Sequence, residues 1–224
     1  IGKAPTGDKD PFALRRSAIG LLRIIIECKI DIDLKDLLST AASNFTNKNQ
    51  TSNCINDVYT FLMERLRYYY RDEGFGADVF ESVLAVNTNK PLDFHHRIVA
   101  VAEFKKLDEA KSLAAANKRI INLLKKSEKS TSVKIKDSLL VEKSEIKLAS
   151  KLVDYKKIIT PLIDNRNYKS ALTELAGLKK DIDNFFDNVM VMCDEAELKK
   201  NRLAILNNLN SLFLQTADIS KLQD

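Results

Sequence analysis

Tyr168-Lys-Ser-Ala-Leu-Thr-Glu-Leu-Ala-Gly-Leu178, then Phe185-Phe-Asp-Asn-Val-Met-Val-Met192, then Asn201-Arg-Leu203 decide the fold of this 224-residue chain. Leu175, Leu178, Ile182, Phe185 and Val189 recur at alternating spacings of three and four, and Leu198, Ile205, Leu209 and Leu212 form a second such row. Only a helix brings positions so spaced onto one side. Two final helices are therefore expected, about 168–190 and 195–215, entered through a turn at Asn165-Arg-Asn167. Phe185, Phe186, Met190 and Met192 at this spacing beside Leu and Val read as core.

The same period continues upstream. Asp10-Pro11 is a helix start, because Asp accepts from free N–H groups and Pro at the first helical position sacrifices none. Leu14, Ala18, Leu21 and Ile25 follow at helical spacing. Asp33 begins a shorter helix to about Phe45, and the polar, Asn-rich stretch Thr46–Asn53 reads as a loop. A helix over about Ile55–Asp72 turns Val58, Leu62, Leu66 and Tyr69 inward and closes at Gly74. Phe80, Val83 and Leu84 mark another, ended by the turn Asn87-Thr-Asn-Lys-Pro91; a further one spans Asp93 to about Lys106. Ala110–Lys126 is a basic helix, and Ser127–Ser138 is a Ser/Lys-rich connection. A long helix begins near Leu139 and should be kinked or interrupted by Pro161. With 6 Gly, 4 Pro and no alternating run, the fold class is all-α.

Composition narrows the function. Apolar residues make up 45% and charged residues 30%, which suits a folded domain. No apolar run approaches the ~20 residues that span a bilayer, so no membrane role is expected. Cys28, Cys54 and Cys193 have no C-x-x-C spacing and read as thiols of a reducing, cytoplasmic compartment. Ile1-Gly-Lys-Ala-Pro-Thr-Gly7 reads as a loop cut from a longer polypeptide. Glycine-rich phosphate cradles, nucleophile elbows and synthetase active-site motifs are missing, so no catalytic residue is assigned. His95-His96 point about 100° apart on a helix and do not chelate one metal. Asp8 and Asp10 read as capping and turn residues.

The net charge is +5, and from Ala110 to Ser127 there are five basic residues and no acidic one. Such a stretch suits a phosphate backbone and equally a solvated helix face. Leu113, Ile120, Ile121 and Leu124 should face inward and Lys111, Lys118, Asn122 and Lys125 outward. The candidate RNA-binding residues are Asn117, Lys118, Arg119, Asn122, Lys125 and Lys126, supplemented by Lys129, Lys134 and Lys136. Tyr68-Tyr-Tyr70 among Arg65, Arg67 and Arg71 has two readings, base stacking or packing against an adjacent helix.

Thr6-Gly-Asp-Lys-Asp-Pro-Phe-Ala-Leu-Arg-Arg16, Asp72-Glu-Gly-Phe75, Ala114-Ala-Ala-Asn-Lys-Arg119, Phe185–Met192, Asn201-Arg-Leu203 and Thr216-Ala-Asp-Ile219 occur in an order that resembles the beta subunit of bacterial heterotetrameric glycyl-tRNA synthetase. The later half is also similar to the DALR-type anticodon-binding module of arginyl-tRNA synthetases. The resemblance implies a helical body segment over 1–86, following an HD-like domain, and an anticodon-binding helical bundle over 87–224. It implies a C-terminal, non-catalytic part of a glycine–tRNA ligase that binds tRNA-Gly. Glycine activation with ATP and Mg would belong to an alpha subunit, two alpha with two beta, and no cofactor to this part. Lys118 and Arg119 would contact phosphates and Asn122 a base or sugar. Arg202 would contact RNA or pair with the acidic Asp194-Glu-Ala-Glu197. The alternative is a helical scaffold within the assembly, with tRNA contacted elsewhere.

Overall fold

A computed structural model describes residues 10, 12–44, 48–126 and 134–222. Among them are ten α-helices and no strand, as an all-α chain requires. The chain divides into two compact units, Ile1–Phe80 with Asn87–His95, and Glu81–Val86 with His96–Asp224.

The first unit is built on α1 (Leu14–Glu27), α2 (Leu34–Ser43) and α3 (Lys48–Asp72), with the start of α4 (Ala77–Leu84) and of α5 (Pro91–Phe104). Both Asp10 carboxylate oxygens accept from α1, from Leu14 N–H at 2.7 Å and Arg15 N–H at 3.2 Å. Asp33 does the same for α2, accepting from Lys35 and Asp36 N–H. Leu22, Ile26, Leu34, Leu62, Leu66 and Tyr70 bury their side chains. α3 begins at Lys48, inside the stretch read as a loop, with residues 46–47 outside the described set. Polar composition does not stop a helix that meets no Gly or Pro, since each added residue gains a backbone bond.

The end of α3 shows how a local rule fixes a tertiary contact. Gly74 has φ 86°, its N–H donates to Arg71 carbonyl, and Phe75 N–H reaches back to Tyr70 carbonyl. This paired closure delivers the Phe75 ring edge-on to Tyr70 at 5.5 Å. A Cβ at Gly74 would meet nothing within 4 Å, so the cost of Gly74→Ala is purely conformational. We expect a loss of about 1 kcal/mol in urea denaturation. A variant as stable as the parent would show that the left-handed turn is dispensable. Tyr70, not Tyr69, is the fully buried ring of the tyrosine run; it stacks on Phe94 and its hydroxyl lies 3.2 Å from His95 Nδ1. Val58, expected inward, is exposed.

The second unit holds the rest of α5, then α6 (Ala110–Lys126), α7 (Lys143–Asp164), α8 (Tyr168–Ala176), α9 (Lys179–Asn188) and α10 (Ala196–Leu214). α6 packs on α9, α10 and the short 3₁₀ turn Ile219–Lys221, and α7 packs on α8, α9 and α10. Ile98, Phe104, Leu148, Leu172, Phe185 and Phe213 are all buried there. α7 starts at Lys143, after a 3₁₀ turn at Asp137–Leu139, and runs uninterrupted past Pro161 to Asp164. The helix expected over 168–190 is two, because at Gly177 and Leu178 the N–H groups switch to the tighter i−3 carbonyls of Glu174 and Leu175. Met190 is 74% exposed and Met192 also faces solvent, so only Phe185, Val189 and Val191 of that run are core.

Arg97 ties the end of α10. Its guanidinium donates to the Gln215 and Thr216 carbonyls at 2.6 and 2.8 Å and to Tyr168 Oη at 2.9 Å, lying 4.2 Å from that ring's centroid. Carbonyls left open by a helix C-terminus are thereby satisfied.

Candidate nucleic-acid interface

α6 separates its residues by period. Ala110, Leu113, Ala114, Asn117 and Ile120 are buried. Lys111, Ala115, Lys118, Asn122 and Lys125 form an exposed stripe, with Arg119 and Lys126 beside it. Lys125 and Lys126 stand in the last turn, where the helix dipole favours cations. Among the described residues, none of Lys118, Arg119, Lys125 and Lys126 pairs with a carboxylate. The Arg119 guanidinium lies 4.1 Å from the centroid of Phe186, a cation–π contact that holds it while the residue stays exposed.

Beside the first half of this stripe is a cleft of about 510 Å³, rimmed by Lys105, Lys111 and Lys118 and floored by Ala114, Ala115 and Leu222. Its size falls within the span of ordinary ligand sites, about 300–1,000 Å³. Lys111 stands two helical turns before Lys118, so the period alone could have added it to the site. Nothing local in the sequence marks Lys105 or Leu222, which reach the cleft from other elements.

The structure divides the seven residues named from the sequence. Lys118, Arg119, Asn122, Lys125 and Lys126 share one exposed face. Asn117 does not: it is 1% exposed, and neither amide atom has a hydrogen-bond partner among the described residues. Arg202 is also buried, and its partner is Glu145, not the Asp194–Glu197 segment. Lys134 and Lys136 are exposed, whereas Lys129 lies outside the described residues. Lys136 is engaged with Glu197 at 2.9 Å.

A family profile described as "Glycyl-tRNA synthetase beta subunit" matches residues 1–85, and one described as "DALR anticodon binding domain" matches residues 113–220. The glycine–tRNA ligase beta subunit of Actinobacillus pleuropneumoniae serotype 5b (strain L20) is 48% identical over 223 residues, 100% of this chain and 32% of the relative. Those of Pseudoalteromonas translucida (strain TAC 125) and Shewanella baltica (strain OS155 / ATCC BAA-1091) are 46% and 49% identical, with the same shares covered. Along its whole length the chain is thus similar to part of the glycine–tRNA ligase beta subunits. It spans about a third of the length of these relatives.

The stretch matched by the anticodon-binding profile runs from within α6 past the end of α10, and consecutive residues of α10 anchor the segment that enters α7. Asn201 Oδ1 accepts from Lys136 N–H at 2.7 Å and its Nδ2 donates to Lys136 carbonyl at 3.1 Å. Arg202 pairs with Glu145 and donates to Met190 carbonyl at 2.9 Å. Glu145 in turn accepts from Val141 and Glu142 N–H, capping α7. Burial disfavours the Arg202 charge, but the hydrogen bond and ion pair with Glu145 outweigh it and raise the guanidinium pKa. Asn201 and Arg202 thus fasten the segment that enters α7 onto α10 from buried positions. Among the described residues no group of three or more His, Cys, Asp or Glu is placed to hold a metal, and no helix is long and apolar enough to cross a membrane.

Proposed function

We propose that the exposed face of α6 grips the anticodon arm of glycine tRNA, as the non-catalytic part of a glycine–tRNA ligase. The observation that carries this reading is a set of cations without carboxylate partners among the described residues, all inside the stretch matched by the anticodon-binding profile. Lys118, Arg119, Lys125 and Lys126 contact phosphates, and Asn122 offers an amide to a base or sugar. Asn117 and Arg202 maintain the scaffold behind that face. The residues 1–86 and 87–224 act as body segment and anticodon-binding bundle respectively. ATP-dependent glycine activation resides in a separate alpha subunit of a cytoplasmic heterotetramer, two alpha with two beta.

Fluorescence anisotropy against tRNA with a glycine anticodon, an anticodon-swapped tRNA and a salt series tests this. We expect salt-sensitive binding that weakens at least tenfold on the swap, about 1.4 kcal/mol. Binding indifferent to the swap would reduce the face to a backbone grip. Absence of binding by the folded protein would favour the scaffold reading.

A further inference from the structure

On α3, Phe61, Arg65, Tyr68 and Arg71 follow one another at spacings of four, three and three, which places them along one side of the helix. The Arg65 guanidinium lies 5.3 Å from the Phe61 ring centroid and 4.6 Å from that of Tyr68. Arg71 lies 4.8 Å from Tyr68 on the same ladder. Aromatic rings and guanidinium planes therefore alternate over about 9 Å between Arg65 and Arg71. Internal packing accounts for Tyr70, which is buried, but not for Tyr68, which is 41% exposed. Arg67 is turned to a different partner, the Phe80 ring at 4.8 Å.

The ladder leaves hydrogen-bonding capacity unspent. The carboxylates that approach are sequence neighbours, Glu64 at 3.6 Å from Arg65 and Asp72 at 3.4 Å from Arg71. Both carboxylates are more than half exposed, and solvated pairs of this length contribute little. Arg65 Nε is buried with no acceptor among the described residues. A guanidinium stacked on a ring loses little freedom on meeting a ligand and keeps its in-plane fork available. That fork matches the two oxygens of a phosphodiester.

We propose that Arg65, Tyr68 and Arg71 form a second RNA-contact surface, in which Tyr68 positions two guanidinium forks for the phosphate backbone of tRNA. The proposal rests on the reading that tRNA is the partner, but on residues of the first unit rather than on α6. An acidic protein segment would be held by the same charges, yet it has less use for two oriented forks.

Whole glycine tRNA is titrated against Arg65→Gln/Arg71→Gln, Arg65→Lys/Arg71→Lys, Arg71→Gln alone and Tyr68→Leu, with melting temperatures measured for each. The Gln pair should bind about tenfold more weakly, with a log–log salt slope lower by about 1.5. The Lys pair should keep that slope yet stay at least threefold weaker. Tyr68→Leu should lose affinity at unchanged slope. Arg71 is well exposed, so its single variant remains decisive even if the Arg65 change disturbs folding. Wild-type tRNA binding by folded Arg71→Gln and by the Gln pair would overturn the proposal, and full rescue by Lys would overturn the oriented fork. Loss of tRNA binding on changing α3 but not on changing Lys118, Arg119 and Lys125 would sink the α6 reading and leave this one standing. The reverse pattern would do the opposite.

Discussion

Arg202→Ala should destabilise the second unit by about 3–5 kcal/mol, the usual result of stripping one partner from a buried ion pair. Glu145 is 0% exposed at its side chain and Arg202 8%, so neither water nor salt replaces the lost charge. The carboxylate also holds Val141 and Glu142 N–H. The Met190 carbonyl loses its donor too. The urea midpoint should fall with little change in slope, and the melting temperature should drop by on the order of 10 °C. A loss under about 1 kcal/mol would show that the pair is solvated in solution.

The partner substitution separates charge from hydrogen bonding. Glu145→Gln in the Arg202→Met background removes both charges but keeps an acceptor for the two N–H groups, because Gln serves in a capping box as Glu does. That double variant should recover more than half of the loss seen in Arg202→Ala. Glu145→Leu with Arg202→Met should recover less, since it abandons the cap. Equal stability of the two doubles would assign the whole effect to the buried charge.

How far the sequence can be read shows in pairs of similar residues with different fates. Asn117 and Asn122 are both amides on α6, yet the first is buried and the second exposed. The period was sufficient to tell them apart, since Asn117 stands four after Leu113 and three before Ile120, both buried. Residue type, weighed against that pattern, gave the wrong placement. Arg202 was not recoverable in the same way. Residues 201–206 of α10 are all buried, so no face of that turn is open to solvent. Its partner lies 57 residues away, and no local spacing encodes such a distance. The two-helix split at Gly177 and the early start of α3 at Lys48 reflect weak local preferences decided by backbone geometry and packing. The α6 stripe was legible because charge, period and absence of carboxylates all agree there, whereas the cleft beside it needed Lys105 and Leu222 to be brought in by the fold.

On α6 the expected outcome is the reverse: binding falls and stability holds. Replacing Lys118, Arg119 and Lys125 together by glutamine should lower the log–log salt slope of tRNA binding by roughly 2 to 3 units. Extrapolated from 1 M salt, that corresponds to a loss on the order of 50- to 300-fold near 0.15 M. Stability should barely move, because these side chains are exposed and none pairs with a carboxylate among the described residues. Only Arg119 contributes to packing, through Phe186, and that stack is worth about 0.5–1 kcal/mol. A control removing Lys151, Lys156 and Lys157, exposed cations of α7, makes the same change in net charge. If binding followed net charge alone, both triple variants would weaken equally. If α6 is the gripping face, the α7 variant should keep most of its affinity and slope while the α6 variant loses both. Equal losses would therefore remove α6 as the site even though RNA still bound.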